Sequence, residues 1–513
     1  MSLDKDYLKD LFIDEVKGCL EGDSSLPKVT SKDDGKILKV VDGKWQLVDL
    51  VPPLYLSFLG NAEFTLGTGN NTKNWDGTLE YSTDTKAWSE WDGTAISSAG
   101  NNLYLRGTGN TKITGFSLNY RFVFTGADAL KIACEGDIET LLDYKTVRDG
   151  NHPTMANSCY ACMFAGCTTL TTAPALPATT LAEYCYSDMF YGCTSLTTAP
   201  TLPATTLTDY CYQEMFLNCT TLTTAPALPA TTLANNCYQG MFYGCTALTT
   251  APELPATTLA NNCYDNMFNG CTALTAAPEL PATTLVIECY SDMFQGCTAL
   301  TKAPALPATT LTDHCYDGMF RSCASLTTAP ALPAPTLANY CYQSMFNGCT
   351  SLTTAPALPA TMLAEYCYTN MFCSCTSLTT APSLPATTLA TGCYHNMFYG
   401  CAALTTAPAL PATTLANNCY GHMFNGCTSL TTAPELPATT LVNNCYQNMF
   451  QGCTKIKLST TQTGEYQTPY RIPTTGTGTT TSGALTDMFS RTGGTFTGTP
   501  EINTIYYTSN TVV

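Results

Sequence analysis

The sequence has few charged residues, and the basic ones are the scarcer kind. Of its 513 residues, 12% are charged, with 22 lysines and arginines against 39 aspartates and glutamates, which gives a formal net charge of −17. Globular proteins average about 25% charged residues, so uncharged threonine, asparagine and serine must supply much of the polar surface. Nucleic-acid binding is not expected, because phosphate contacts need clustered Lys and Arg and the chain has no such cluster.

Long apolar segments are also missing. The first residues, Met1 to Phe12, carry mixed charge and no apolar core, so they do not form a secretory signal. The chain is therefore either not exported by the general route or has lost a signal sequence. No later stretch reaches the length of a transmembrane helix, and membrane insertion is not expected.

Histidine is rare, and the chain lacks the residue patterns of most enzymes. His152, His314, His395 and His422 have no nucleophile partner at a recurring spacing, and no Gly-rich phosphate loop is present. No C-x-x-C pair recurs, which argues against a zinc site. We therefore expect no catalytic residues, no metal and no cofactor.

What the chain does contain is a 26-residue repeat. From Cys159 onward, twelve copies follow the pattern C-Y-x-x-M-F-x-x-C-x-x-L-T-x-A-P-x-L-P-A-x-x-L-x-x-x, and the last copy breaks off after Cys453. A unit of this length cannot bury a core alone, so it becomes stable by stacking on copies of itself. The sequence therefore predicts a repeat solenoid.

Within each copy, the spacing of apolar residues predicts a helical segment followed by a short strand. In the copy that begins at Cys185, apolar residues from Leu181 to Cys193 recur mostly three to four positions apart, as on one face of a helix. The next residues, Leu196 to Pro200, are short, β-branched and closed by proline, which favours a brief strand and a turn. One strand plus one helical segment per copy is typical of a leucine-rich repeat.

The segment from Met189 to Leu196, with the pattern MFxGCTxLT and a proline-closed strand after it, carries a closer resemblance. It resembles the BspA-like leucine-rich repeats of bacterial and phage surface proteins, and the match recurs in nearly every copy over about three fifths of the chain. The family's usual repeat is somewhat shorter. We therefore expect the corner between strand and helical segment to be built differently in this chain.

Cysteine is abundant, and 24 of the 28 cysteines occupy the two repeat positions. Two cysteines eight residues apart, such as Cys185 and Cys193, would lie ~12 Å apart in a helical segment, too far for a disulfide. Bridges between equivalent cysteines of adjacent copies remain geometrically possible. The interpretation we favour is a stacked ladder of inward-facing thiols that pack as small apolar groups.

The residues before the repeats divide into three predicted segments. Residues 1–22 predict an amphipathic helix, which packs either on its own chain or on another subunit or a partner. Residues 26–50 predict a β-hairpin with its turn at Asp42-Gly43. Residues 54–145 contain many short β-like runs between Asn, Gly and Asp turns, which predicts a β-sandwich-like domain. Trp75, Trp88 and Trp91 in this domain are either core residues or a platform for stacking sugars.

The solenoid is predicted to occupy residues 146–453, and residues 454–513 follow it. Leu485 to Phe489 repeats the Met-Phe pair once more without its cysteine. A degenerate last copy is what a repeat array needs to cover its exposed end, so we expect a C-terminal cap. This segment is alternatively a tip that touches a receptor.

The hairpin carries a second resemblance. Its stretch from Asp34 to Val48, D-G-K-x-L-x-V-x-x-G-x-W, is similar to the N-terminal part of fibre and appendage proteins of bacteriophages and prophages, where it lies near the virion attachment end. The resemblance implies that residues 1–50 bind other virion proteins. Because phage fibres are commonly trimers, it also implies a homotrimer.

Comparison of the copies separates a constant scaffold from a few variable polar positions. The positions just before and just after the first Cys-Tyr change from copy to copy. Neutral drift at solvent positions would give such variation, whereas a ligand-reading surface would favour the same Tyr, His, Asn and Asp residues, which suit interfaces. The candidate binding residues are Tyr184, Tyr210, Asn236, Glu288, His314, Tyr340, Tyr366, His395 and His422.

Together these features predict a bacteriophage virion protein, a head or tail fibre that adheres to a glycan or protein of the host surface. The alternative is a secreted bacterial adhesin on the cell surface that binds host matrix or glycans. A passive spacer protein would have the same architecture but no receptor.

Overall fold

The structure, a computed structural model, forms two compact units, Met1–Pro53 and Leu54–Val513. It describes residues 36–41, 44–49, 53–98, 100–473 and 483–509. The predicted amphipathic helix of residues 1–22 lies outside the described residues.

The first unit contains one described pair of strands. Strand β1 (Lys36–Val41) runs antiparallel to β2 (Lys44–Asp49), with Val41 opposite Lys44 at the closed end. The predicted turn residues Asp42 and Gly43 fall between the strands, outside the described residues.

The second unit begins with two β-sheets and a short helix. Some of their strands have apolar residues at alternate positions, as in Phe64–Thr68 and Thr78–Ser82, as expected for half-buried strands. The elements are β3 (Leu56–Gly60), β4 (Phe64–Thr68), β5 (Thr78–Ser82), β6 (Ser89–Glu90), β7 (Ile96–Ser97), β8 (Asn102–Thr108), β9 (Phe122–Gly126), β10 (Ile132–Glu135), α1 (Thr140–Arg148) and β11 (Leu170–Thr172). The strand orders in the two sheets are β11-β10-β3-β8-β5-β6 and β7-β4-β9.

Aromatic side chains pack between these two sheets. The ring centroids of Phe58 on β3 and Phe124 on β9 lie 5.3 Å apart. Trp75 and Trp91 stack at 4.9 Å and are only 4% and 1% exposed, so they belong to the core and cannot form a sugar platform. Trp88 is half-buried against the guanidinium of Arg106, 4.0 Å from its ring centre.

The N-terminal sheets cover the first edge of the repeats. Strand β10 pairs in parallel with β11, which belongs to the first copy. The backbone N–H groups of Thr114 and Phe122 donate to the carbonyls of Cys159 and Met163 at 3.1 and 2.7 Å. The predicted boundary at residue 145 therefore falls inside one continuous unit.

The prediction of a helical segment in each copy is wrong. Between residues 150 and 473, all of which the structure describes, the chain forms turns, bridges and short strands but no helix. Three residues of each copy have a left-handed backbone, for example Tyr184, Asp188 and Gly192 with φ of 57°, 55° and 67°. A left-handed residue at every fourth position cannot enter a right-handed helix, so the chain turns instead.

The hydrogen bonds of these turns alternate between local and intercopy partners. The N–H of Ser187 donates to the carbonyl of Tyr184, three residues back, at 3.2 Å. The N–H of Tyr186 donates to the carbonyl of Cys211 in the next copy at 3.0 Å. Each copy therefore bonds to the next along a ladder, and residues 159–453 form what we call the repeat stack. The predicted short parallel strands are reduced in most copies to isolated parallel bridges such as Thr198 with Thr224.

Two aromatic ladders fill the interior of the repeat stack. The tyrosines that follow each first cysteine, Tyr160 to Tyr446, stack with ring centroids 5.6–5.9 Å apart, and all are buried. The phenylalanines from Phe164 to Phe450 stack at 5.5–5.8 Å. Identical side chains stack this closely because adjacent copies are related by a near-translation.

The cysteines of the described residues are free thiols, and 26 of the 27 are buried. Each second cysteine from Cys193 to Cys453 points its Sγ at a phenylalanine carbonyl of the preceding copy, as Cys193 does at Phe164 over 3.1 Å. The thiols therefore act as small packing groups with a weak hydrogen bond.

The C-terminal residues cover the last edge of the repeat stack. The N–H of Phe450 donates to the carbonyl of Met488 at 2.9 Å, and the rings of Phe450 and Phe489 stack at 5.4 Å. Residues 483–490 thus supply a further rung. Beside them lies a sheet of order β13-β15-β12-β14, formed by β12 (Lys457–Ser459), β13 (Tyr466–Arg471), β14 (Gly493–Gly494) and β15 (Ile505–Ser509).

Candidate functional site

The residue before the first cysteine of each copy defines a column along one side of the repeat stack, the pre-cysteine column. All of its twelve residues have φ between 54° and 60°. They are Ser158, Tyr184, Tyr210, Asn236, Asn262, Glu288, His314, Tyr340, Tyr366, Gly392, Asn418 and Asn444.

This backbone conformation suits some of these residues and strains others. Asparagine and glycine, which occupy five of the twelve positions, tolerate a left-handed backbone. Four tyrosines, one histidine and one glutamate occupy it as well, and such residues bear a cost on the order of 1–3 kcal/mol each. Seven of the nine predicted binding residues lie in this column.

Tyr184 and Tyr210 form the first aromatic block of the column. Their ring centroids lie 4.4 Å apart with nearly parallel planes. Phe116, from the loop before β9, packs edge-on against Tyr184 at 5.4 Å and remains 58% exposed. Sequence comparison of the copies missed Phe116, because it lies outside the repeats.

His314, Tyr340 and Tyr366 form the second block. Their rings stack in sequence with centroid distances of 4.5 and 5.1 Å. The ring of Tyr366 lies over Gly392, where an added Cβ would approach its Cε1 to 2.4 Å. Glycine in the next copy therefore leaves space for this tyrosine ring.

Asn236 and Glu288 lie between the two aromatic blocks and make polar contacts instead. The side-chain amide of Asn236 donates to Gln239 at 2.9 Å, and Glu288 accepts from the amide of Asn262. All the candidate residues of the column are half-buried rather than fully exposed.

A second line of residues runs beside the column, one position earlier in each copy; we call it the outer row. It is polar in every copy except before Cys289, where the residue is the exposed Ile287. Several of its side chains accept a backbone N–H from the next copy, as the carboxylate of Asp209 does from Asn235 at 2.9 Å. The N–H of Glu365 donates to Asn339 Oδ1 at 3.1 Å, and that of Asn339 to Asp313 at 3.0 Å. These contacts orient carboxylate and amide groups along an accessible edge.

His395 and His422 lie apart from the pre-cysteine column, two and three residues after a first cysteine. Their rings meet edge-on at 5.4 Å. Burial lowers the pKa of both, and His422 lowers the pKa of His395 further. Gly421 leaves space for the ring of His395, because a Cβ there would lie 2.8 Å from Nδ1.

Carboxyl groups occupy equivalent positions after the cysteine in other copies. Burial, followed by the neighbouring Asp188, raises the pKa of Glu214 to about 7. Burial, together with Asp317 and Asp265, raises the pKa of Asp292 to about 6. These carboxyls therefore keep protons at a pH where exposed ones would lose them.

We find no cluster of three or more His, Cys, Asp or Glu side chains suited to a metal ion within the described residues. Nor does this part of the chain contain a helix long and apolar enough to cross a membrane. The pre-cysteine column and the outer row together present aromatic rings, amides and carboxylates, and such a surface suits recognition of a polar ligand.

The left-handed positions can be recognised in the sequence by their residue types, which the prediction from apolar spacing did not consider. Asn, Gly, Asp and Ser recur before the first cysteine, three residues after it and immediately before the second cysteine. These are the residues that adopt left-handed turns most readily. Their spacing of four would have excluded the helix.

Comparison with known proteins identifies the repeats. The family profile of the BspA type leucine rich repeat region matches in six copies, over residues 146–275, 261–401 and 346–467. No curated protein and no solved structure matches the chain.

Proposed function

Because this chain belongs to the BspA-type leucine-rich repeat family, we propose that it is an adhesion protein whose pre-cysteine column contacts a partner on a bacterial surface. The repeats themselves support a binding role. The strained bulky residues of the column, together with the outer row, supply the contact surface.

One observation carries this assignment to the column. Six of its residues are Tyr, His or Glu in a left-handed backbone where other copies of the same chain use Asn or Gly. A fold that accepts asparagine at this position gains no backbone stability from tyrosine. Strained residues that persist on a surface point to a role in binding, and aromatic residues with amides are the typical components of interfaces.

We further propose that the protein is a fibre of a bacteriophage virion, attached through residues 1–50. The similarity of the stretch from Asp34 to Val48 to fibre and appendage proteins supports this location. Several copies per virion would multiply weak contacts of each repeat stack into firm attachment without strong affinity at one site. No nucleic acid and no membrane insertion are involved in this function, and neither is catalysis.

The second candidate is a surface adhesin of a bacterium, which the resemblance to bacterial surface proteins favours. The two functions differ in where the protein is found and in what residues 1–50 bind. A virion fibre binds other virion proteins through these residues, whereas a bacterial adhesin is exported to the cell envelope.

Mass spectrometry of purified virions and of the bacterial envelope fraction tests the location. Peptides of this chain at a constant ratio to the capsid protein are expected in virions, and peptides confined to the envelope would contradict the fibre assignment. Adhesion is tested by adding purified full-length protein to host cells before infection. Infection should fall as receptors become occupied, and a fluorescent form of the protein that attaches to no cells would contradict adhesion.

A further inference from the structure

Resting on this adhesive function, we propose that the pre-cysteine column and the outer row bind a neutral, linear polysaccharide that lies along the repeat stack. The proposal names the ligand class of the same site. It follows from the charge, the periodicity and the hydrogen-bonding groups of the two rows.

The charge of the two rows excludes acidic ligands. Their 24 positions include no lysine or arginine. Five of them are carboxylate residues, Glu183, Asp209, Glu288, Asp313 and Glu365. An acidic polysaccharide or a phosphate-rich polymer would be repelled by the carboxylates in these five copies, and neither row has a lysine or arginine to neutralise its charge. A neutral polymer of hydroxyl groups meets no such barrier.

The periodicity of the rows fits a polymer rather than a compact ligand. Stacked rings of the column repeat every 4.4 to 5.1 Å, from Tyr184 to Tyr210 and from His314 to Tyr366. One pyranose unit of an extended chain advances by a comparable distance. A linear glycan laid parallel to the stack would therefore present a similar set of hydroxyls to each successive copy.

In every copy except the one with Thr391 and Gly392, the two rows provide at least one Asn, Asp or Glu side chain, and these groups suit hydroxyl recognition. Asparagine amides donate and accept, and carboxylates accept from two hydroxyls at once, so together they match the dual character of a sugar hydroxyl. Contacts between copies already hold these groups in place: Asn235 and Asn339 each receive a backbone N–H from the next copy, at 3.2 and 3.1 Å to Asn261 and Glu365. Groups held in this way lose little freedom on binding.

The aromatic blocks supply the apolar part of the contact. The half-buried rings of Tyr340 and Tyr366 and the ring of Phe116, which is 58% exposed, offer surface for the C–H groups of a sugar ring. Each rung alone would bind weakly, and many rungs along one chain would add.

The test uses two variants of the full-length protein. Tyr340→Asn with Tyr366→Asn removes two rings of the column and places there the residue that Asn236 and Asn262 provide in other copies. The matched control, Tyr243→Asn with Tyr399→Asn, removes two tyrosines that are 39% and 41% exposed at another position, where other copies also have asparagine.

Electrophoresis through gels that contain hydroxyethyl cellulose, glucomannan or dextran measures binding to neutral glycans, and polygalacturonate provides the acidic comparison. At least one neutral glycan should retard the wild-type protein and the control variant, and the column variant should bind roughly tenfold more weakly. Retardation by polygalacturonate alone, or by none of the four polymers, would overturn the proposal, as would equal retardation of both variants.

A competition experiment separates failure of the ligand class from failure of adhesion. Polysaccharide stripped from cells to which the protein attaches is divided by anion exchange into neutral and acidic fractions. Competition by the neutral fraction supports the proposal. If only the acidic fraction blocks attachment, or if protease treatment of the cells abolishes it, the proposal of a neutral polysaccharide ligand is overturned while adhesion stands. Absence of attachment contradicts adhesion itself, and the gel assay then tests separately whether the protein binds a neutral glycan.

Discussion

At the scale of single residues, backbone handedness decides the form of each copy. Asn418 illustrates this, because its φ of 57° places it in the region that asparagine tolerates and alanine does not. Its neighbour Asn417 is exposed and lies outside the left-handed positions. The two residues have the same side chain, so they separate the effect of backbone conformation from that of composition.

Asn418→Ala is expected to lower the free energy of unfolding by about 1 kcal/mol, because the added steric cost of a left-handed alanine is of this order. Asn417→Ala should change it by less than about 0.5 kcal/mol, as surface substitutions usually do. Urea denaturation followed by tyrosine fluorescence measures both. Equal effects of the two substitutions would show that handedness does not matter at this position.

The thiols provide a second test at this scale. Burial raises the pKa of the repeat cysteines, to about 11 for Cys445 and about 12 for Cys219, and reaction requires the thiolate. Cys373 is the half-buried exception among the described cysteines. In a Cys19→Ser background, a thiol reagent should therefore label Cys373 first, and the others only after unfolding.

Peptide mapping of the labelled native protein identifies the reactive residue, and Cys373→Ser is the control. Fast labelling that survives this substitution would contradict the buried ladder. Fewer than the full number of thiols in denaturant, without reductant, would indicate disulfides between copies.

The buried carboxyls make stability depend on pH. The folded pKa of Glu214 is about 7, above its ordinary value of 4.5, so the folded state holds a proton that the unfolded state has lost. The stability that this proton provides is present below about pH 4.5 and is lost as pH rises through 7.

Glu214→Gln should therefore flatten the fall in melting temperature between pH 5 and pH 8, because glutamine needs no proton there. Scanning calorimetry at both pH values measures the difference, and the exposed Glu253 provides the control substitution Glu253→Gln. An equal fall with pH in the Glu214 variant and the wild type would contradict the assignment.

At the scale of elements, some features could be read from the sequence and others could not. The 26-residue period predicted stacked copies, and the Met189–Leu196 motif predicted the BspA-like family, which the family match confirms. The predicted helix failed because the turns also repeat apolar residues every three to four positions, as from Leu181 to Cys193. Apolar spacing does not report the sign of φ, whereas the Asn and Gly positions do.

The candidate binding residues show the same division. Variation between copies located the column of Tyr340 and Tyr366, but it could not show that these rings stack on each other. Nor could it find Phe116, which joins the column only because the loop before β9 covers the first copy. Contacts between distant segments leave no local pattern in a single sequence.

The ends of the repeat stack depend on elements that are not true copies. Phe489 continues the phenylalanine ladder beyond Phe450 and covers its last ring. Phe489→Ala should cost about 3–5 kcal/mol locally, as truncation of a buried Phe usually does. Since contacts run mainly between neighbouring copies, the effect should stay near the C-terminal end.

Hydrogen exchange resolves this effect along the chain. The amides of Tyr446, Asn448 and Phe450, which donate to residues 484–488, should lose protection in the Phe489→Ala variant. The amide of Phe294 in the middle of the stack should exchange as in the wild type. Uniform loss of protection across the chain would contradict the nearest-neighbour account of stability.

At the scale of the whole molecule, the repeat stack is a scaffold that repeats one surface. The interior ladders of Tyr, Phe and Cys are nearly constant, so every copy presents its pre-cysteine residue in the same place. Because the core is constant, a different pre-cysteine residue in each copy changes the surface of the repeat stack without altering its interior. Binding spread over many copies tolerates change in any single copy and depends on the column as a whole.

Attachment of the fluorescent full-length protein to bacterial cells measures the central claim most directly. The variant with Tyr340→Asn and Tyr366→Asn should attach roughly tenfold more weakly than the wild type, because it loses two stacked rings of the column. The variant with Tyr243→Asn and Tyr399→Asn should attach as the wild type does. If the folded column variant attaches as strongly as the control, the pre-cysteine column is not the binding surface.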